Sequence, residues 1–333
     1  MEECEALLWI SLCSALTSAQ RRGWIDREGS AGEAQRALAR RGFRPDESVW
    51  QQARRSQYVF RGGPDYPEDL NRLHDPPDIV YYQGRFPHPE RPRIGVVGTR
   101  RATPQGMFQT ARFSRAFSER GLVVVSGLAR GIDTAALKAS LEVAGGFPLA
   151  VVACGLDLQY PLENRHLQRW IEAEGLVLSE YPPGCQPQRW HFPARNRLIA
   201  ALSRLILVVE APARSGALIT AQHAKSIGRD VLTLPGPLDH RNYQGNLSLL
   251  QDGAGLARQP RDVFDALKLS ALYLDEYKAF FGTPQAWSER LGLGFEETLA
   301  YLALRELDGS VQRLDCGGVH WKGSVLRGSP STM

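Results

Sequence analysis

Between Ile94 and Ala254 the chain alternates short apolar runs with stretches of helical spacing. RIGVVG, GLVVVSG, LAVVACG, LVLSEYP, LILVVEAP and DVLTLPG are each rich in Val, Leu or Ile, and each stops at glycine or proline beside polar residues. Runs without polar alternation read as strands buried on both faces. Between them, Phe113 with Phe117, and Ile132, Ala136, Leu137, Leu141 and Ala144, mark the apolar stripes of amphipathic helices. The pattern recurs about every 25 to 30 residues, which predicts a doubly wound, mostly parallel sheet with helices on both faces. A last helix, Pro260 to Leu267, closes it. Every polar loop of the series then leaves the carboxyl end of a strand, on the edge where such folds bind ligands.

The flanks have a different texture. Residues 1–60 carry short amphipathic helical patterns punctuated by Gly23, Gly29, Gly32 and Gly42, predicting a small helical domain. Residues 61–92 are dense in proline around a strand-like core from Asp78 to Gln83, a lead-in that packs a further strand or two on the central domain of residues 93–270. Over residues 283–327, Thr283 before Pro284 opens a helix to Leu291, a second helix runs from Phe295 to about Leu307, and Val311 to Trp321 reads as a hairpin. Two helices and a hairpin predict a winged-helix-like domain. Its 5 basic and 6 acidic residues favour a protein contact over DNA.

The loops argue against the commonest ligands of a doubly wound sheet. The first turn, Gly98-Thr99-Arg100-Arg101, lacks G-x-G-x-x-G spacing, the second strand ends in Ser126-Gly127 and not a carboxylate, and no phosphate-cradling G-x-x-x-x-G-K-[ST] occurs. What the loops share is small residues beside arginine just ahead of a helix: Thr99-Arg100-Arg101, Ser126-Gly127-Leu128-Ala129-Arg130, and Arg214-Ser215-Gly216. Amides at a helix start attract anions and arginine adds a forked donor for phosphate, so the edge reads as a row of phosphate seats. A fourth basic element, Arg189-Trp190-His191-Phe192-Pro193-Ala194-Arg195-Asn196-Arg197, interleaves arginine with rings, as single-strand binding surfaces do. Each feature has a plainer reading beside it. The glycines serve tight turns, Arg195 and Arg197 pair with Glu180 or Glu210, Asp133 caps a helix, and Trp190 and Phe192 belong to the core.

Composition changes the picture little, charge rather more. The 333 residues, 43% apolar and 23% charged, suit a soluble globular protein with a sizeable core. No stretch approaches 18 uninterrupted apolar residues and the start carries Glu2, Glu3 and Glu5, so no membrane span and a cytoplasmic location are expected. Five scattered cysteines, never in C-x-x-C, indicate neither a disulfide framework nor a metal module, and no cofactor is expected. The net charge of +4 is uneven: residues 93–268 hold 21 basic against 14 acidic residues, residues 62–92 hold 3 against 6.

Over residues 65–254 the segments DYPEDLNRLHDPPDIVYYQG, IGVVGTRRATPQG, VVVSGLARGIDTAAL, CGLDLQYPLENRHL, LSEYPPG, HFPARNRLIAALS, VVEAPARSGALITAQHA and DVLTLPGP follow one another in the order of the bacterial DNA-processing protein A family (DprA, also called Smf), which the chain resembles. The resemblance implies a Rossmann-like central domain flanked by variable ends, here a SAM-like helical module and the winged-helix-like tail. It implies a non-catalytic homodimer that binds and protects single-stranded DNA and loads the recombinase RecA during natural transformation, displacing or cooperating with single-strand-binding protein. Carried over by position, the DNA pocket falls on Gly98, Thr99 and Arg100, on Ser126, Gly127 and Leu128, on Tyr160, Asn164 and Arg165, and on Arg195, Asn196 and Arg197. Arg101, Arg130, Arg189, Arg214, Ser215 and Gly216 join it from the loop reading above. The chain departs from the family's pattern at Leu137, where members carry histidine, at Leu162, where a basic residue is common, and by one extra residue between Asn246 and Gly253. With leucine at position 162, the family's basic group there is either missing or replaced by Arg165.

Two other classes compete. A nucleotide-monophosphate phosphoribohydrolase of similar fold needs a P-G-G-x-G-T-x-x-E turn, and the stretch Arg214 to Thr220 has one glycine and no glutamate. A protein-only scaffold would use the same basic edge without DNA.

Overall fold

The computed structural model describes residues 2–269, 281–282, 284–285, 288, 294–307, 311–313 and 319–321. The valine-rich runs are the parallel strands β3 (Arg93–Val97), β4 (Val123–Ser126), β5 (Phe147–Val152), β6 (Leu176–Ser179), β7 (Leu205–Val208) and β8 (Asp230–Thr233). Two antiparallel strands, β1 (Tyr58–Phe60) and β2 (Ile79–Gly84), and a short parallel one, β9 (Gly255–Leu256), extend the sheet. The order is β1-β2-β6-β5-β4-β3-β7-β8-β9. From β3 the chain winds outward through β4, β5 and β6, then returns to the other side of β3 to lay down β7 and β8. The topological switch point therefore lies between β3 and β7, where the loops leaving the two strands diverge.

Helices α5 (Pro104–Ser118) and α6 (Ile132–Leu141) cover one face, α8 (His191–Leu202) and α9 (Gly216–Ser226) the other. The split follows strand alternation. Ile94, Val96 and Val124 pack with Phe113, Phe117 and Ile132, while Val123, Val125 and Val151 pack with Leu198, Ile199 and Ala221. Phe113 and Phe117 are fully buried, edge to face with centroids 6.0 Å apart, and each contributes about 2–3 kcal/mol by burial alone. With α7 (Arg165–Glu174) and α10 (Gln244–Gln251) completing the series, helix α11 (Pro260–Ala266) packs through Phe264, 5.8 Å from Phe117, and closes the face covered by α5.

The first sixty residues form α1 (Glu2–Ser11), α2 (Ser18–Glu28), α3 (Ala31–Arg40) and α4 (Glu47–Arg54), packed on Ile10, Leu16, Ala34 and Leu38. They are not independent of the sheet. Leu8 and Ala53 join the core formed by Tyr81, Val152 and Val177, and β1, which the composition grouped with the helices, pairs with β2. The proline-rich segment of residues 61–92 itself supplies one added strand, β2, and the other, β1, comes from the last residues before it. Toward the carboxyl end lie α12 (Phe295–Leu307) and strands β10 (Phe281–Gly282), β11 (Val311–Arg313) and β12 (Val319–Trp321); β12 pairs with β11, and also with β10, a strand outside the expected hairpin. The expected helix from Thr283 to Leu291 lies largely outside the described residues, as does Cys316. Cys4, Cys13, Cys154 and Cys185 are free thiols. No helix among the described residues is long and apolar enough to cross a membrane.

Candidate nucleic-acid interface

At the switch point two loops touch through their backbones: the Thr99 amide donates to the Glu210 carbonyl at 2.7 Å. Gly98 makes this approach possible, because a Cβ there would lie 2.9 Å from that carbonyl and 2.5 Å from the Ile132 side chain. The Glu210 carboxylate is fully buried beneath the start of α5. It accepts from the Thr103 amide at 2.9 Å, the Thr103 hydroxyl, the Tyr243 hydroxyl at 3.0 Å and Asn242 Nδ2 at 3.2 Å. Burial and the neighbouring carboxylate push the Tyr243 phenol up to about 12, which keeps it a donor. The helix start that the sequence offers to a ligand is thus occupied by an internal anion, and Thr103 Oγ1 caps the Gly106 amide at 3.0 Å.

The second loop repeats this arrangement. Asp133, in the first turn of α6, accepts from the amides of Gly127 at 3.2 Å and Ala129 at 3.3 Å. Asp133 is therefore structural, as the plain reading had it, but not as a cap: Gly131 stands at the N-cap without a side-chain bond, and the carboxylate reaches back to the loop amides. Burial pushes its carboxyl up, and Arg195 opposes that shift. Arg195 is itself buried and donates to the carbonyls of Gly127 and Val151, so it is a brace between β4, β5 and α8. Burial lowers its guanidinium to about 10 against the pull of Asp133, which leaves it cationic at neutral pH. A Cβ at Gly127 would sit 2.5–2.7 Å from the guanidinium atoms, so a larger residue there would push the Arg195 brace aside.

Several expected contact residues turn out to be framework. Ser126 is buried and donates to the Val96 carbonyl at 2.7 Å, and Leu128 is fully buried with φ 55°. Asn164 is buried and holds that turn, donating at 2.9 Å to both the Leu128 carbonyl and Thr134 Oγ1. Asn196 donates to the Gly216 carbonyl at 3.1 Å, and Ser215 caps α9 through the Ala217 amide. Arg197 pairs with Glu180 at 2.5 Å and donates to the Asp75 carbonyl at 2.9 Å, one of the two ion pairs the sequence suggested. Arg195 makes neither, because hydroxyl and amide donors already fill Glu210. Thr99 is buried as well.

What faces solvent along this edge is a rim of arginines and rings. Arg100, Arg101, Arg130, Arg165, Arg189 and Arg214 are exposed. The Arg100 guanidinium lies 4.8 Å over the Phe192 ring, and Phe192 lies 5.7 Å from Tyr160. Trp190 is 68% exposed, so it is not core, and Tyr160 is 42% exposed. Arg130 pairs with Glu163 in an exposed ion pair of small worth. Asn242 and Tyr243, which the sequence pattern did not single out, prop the rim from the loop after β8: Asn242 Nδ2 also donates to the Arg101 carbonyl at 2.9 Å. No cluster of three or more His, Cys, Asp or Glu suited to a metal occurs among the described residues.

The family model described as DNA recombination-mediator protein A matches residues 57–268. Protein Smf of Synechocystis sp. is 47% identical over 207 residues, 61% of this chain and 52% of that relative, so the match spans about half of the relative's length. DNA processing protein DprA of Streptococcus pneumoniae is 45% identical over 198 residues, 60% of this chain and 70% of the relative. The X-ray structure of the S. pneumoniae protein superimposes with a TM-score of 0.70 at 34% identity, covering 80% of this chain and 98% of that one. A Helicobacter pylori DNA processing protein A, described for its unique single-stranded DNA binding mode, superimposes with a TM-score of 0.57 at 30% identity, covering 64% and 97%. The switch-point fold, the motifs that build its loops and these matches together show that the chain belongs to the DNA recombination-mediator protein A family, DprA/Smf.

Proposed function

We propose that this protein binds single-stranded DNA along the carboxyl edge of its sheet and acts in DNA processing during transformation and recombination. One observation carries the reading: the contiguous surface of exposed Arg100, half-buried Phe192 and exposed Tyr160, flanked by Trp190, Arg189, Arg101, Arg165 and Arg214. Arginines meet phosphates and rings stack on unpaired bases of any sequence. The single-strand binding named for the H. pylori relative supports it.

On this reading the site performs no chemical step, and its work is to hold a strand in an accessible form. The finer role is RecA loading by a cytoplasmic homodimer, in competition or cooperation with single-strand-binding protein. A two-fold copy sets two rims on one strand and raises avidity. Anisotropy titrations of a labelled oligothymidine and a matched duplex at several salt concentrations test the binding. Tighter binding of the single strand, with affinity falling as salt rises, is expected. Equal affinity for both at matched salt sinks the reading. Light scattering that gives only the 37.0 kDa monomer at micromolar concentration excludes the dimer.

A further inference from the structure

The opposite edge of the sheet carries a second concave surface, a cleft of about 1200 Å³. Its floor is the amino ends of the parallel strands: Arg93 begins β3, Phe147 begins β5, and Arg204 and Arg229 immediately precede β7 and β8. Its walls are the segment around the 3-10 helix Glu68–Arg72, the stretch after β2 that includes Arg85 and Phe86, and Trp170 from α7 (Arg165–Glu174). Loops at the carboxyl edge are where this fold class takes its ligand, so the fold does not account for a cationic cleft here.

Donors outnumber acceptors in this cleft. Asp69 accepts from Arg93 and from Arg229 (2.5 Å) and lies 3.5 Å from Arg72, so one carboxylate serves three guanidinium groups. Arg229 Nε is buried with no acceptor. Arg85 lies 5.7 Å from the Phe147 ring, and its guanidinium donates to the Glu174 carbonyl at 3.1 Å. Among the described residues neither Arg85 nor Arg204 has a carboxylate partner, and Arg204 is exposed. The same cleft is lined by an exposed ring: Trp170 is 44% accessible, far more than an indole in a core. The volume far exceeds what an inorganic ion needs and is ample for an organic ligand.

We propose that this cleft is a second nucleotide-binding site, in which Arg85 and Arg204 take phosphate oxygens and Trp170 stacks on the base. Its occupant is a free nucleotide or one nucleotide of a bound strand. The site stands independently of the carboxyl rim.

Calorimetric titration of the full chain with ATP tests it. Wild type binds ATP more tightly than inorganic phosphate. Arg85→Glu combined with Arg204→Glu weakens ATP by about tenfold or more, and Trp170→Ala weakens it by at least about fivefold. Arg204→Gln shifts affinity in the same direction without reversing a charge, which covers a charge-reversed variant that fails to fold. Arg100→Ala leaves ATP binding intact. Oligothymidine binding separates the two sources. If Arg204→Gln flattens its salt slope by about 0.7, the strand reaches the cleft, whereas an unchanged slope with ATP binding weakened identifies the free nucleotide. The proposal is overturned if ATP does not bind at millimolar concentration, binds all variants equally, is matched by inorganic phosphate, or is lost in Arg100→Ala instead.

Discussion

Replacing Arg100 by alanine separates binding from folding. The Arg100 side chain is exposed, has no carboxylate partner among the described residues, and touches the protein mainly through the face of Phe192 at 4.8 Å. A cation–π contact at an exposed site is worth about 0.5–1 kcal/mol. For a chain of this size that is a drop of roughly 1–3 °C in melting temperature. If the guanidinium closes one phosphate contact, its removal lowers affinity roughly tenfold, equally for all sequences, and flattens the log-affinity against log-salt slope by about 0.7. Anisotropy titrations at three or more salt concentrations and a thermal melt, for wild type and variant, give both quantities. The alternative is that Arg100 neutralises Asp133 or Glu210. Glu210 is saturated by Thr103, Asn242 and Tyr243, and Asp133 by two amides with Arg195 nearby, so little is left for Arg100 to neutralise. A large loss of melting temperature with the slope unchanged would refute the phosphate contact.

Three further outcomes are expected. Arg195→Met removes a buried brace and leaves two carbonyls and Asp133 without their cation, costing about 3–5 kcal/mol in urea denaturation; a loss under about 1 kcal/mol contradicts the bracing role. Glu210→Gln turns an amide donor toward Thr103, Asn242 or Tyr243 and destabilises by about 1–3 kcal/mol at constant shape, which a thermal melt detects. Burial alone would raise Asp69, but Arg93 and Arg229 outweigh it and hold the carboxyl below its usual value. The folded chain then binds fewer protons than the unfolded one, so this contribution is present above about pH 4 and is lost as pH falls further. The urea midpoint should drop more between about pH 5 and pH 3 in wild type than in Asp69→Asn, and parallel curves refute the assignment.

The parallel sheet was legible because six valine-rich runs leave no other use for their apolar faces. The edge that carries the loops followed from the same alternation. Burial was not legible at single loop positions. Ser126, Leu128 and Asn164 stand in polar, glycine-rich segments that look exposed, yet the close approach of β3, β4 and the turn before α7 encloses them. Trp190 misled in the other direction: a large ring suggests core, but it sits at the very start of α8, where the helix projects past the sheet. Arg195 and Arg197 are two residues apart on one helix and so point to different sides, one inward to carbonyls, the other to Glu180. Neither the partner of Glu210 nor the prop under Arg101 had a local signal, because Asn242 and Tyr243 arrive from more than thirty residues away.

These buried ions also reshape how the edge meets a polyanion. Row after row, the sequence offers helix starts as phosphate seats, but α5 already holds Glu210 and the turn before α6 already holds Asp133. An anion drawn to those amides would have to displace a carboxylate saturated by internal donors, which costs more than an exposed contact returns. On the proposed reading the ligand's charge would instead be met by the exposed side chains of Arg100, Arg101, Arg165, Arg189 and Arg214, with the loop of Arg100 and Arg101 held by the Glu210 pairs. Rigid loops lower the ordering cost of binding, while exposed arginines stay screened by salt and read no sequence. A rim of this kind suits a protein that must hold any single strand and release it again, and it makes salt slope, more than affinity at one condition, the measure of each arginine's part.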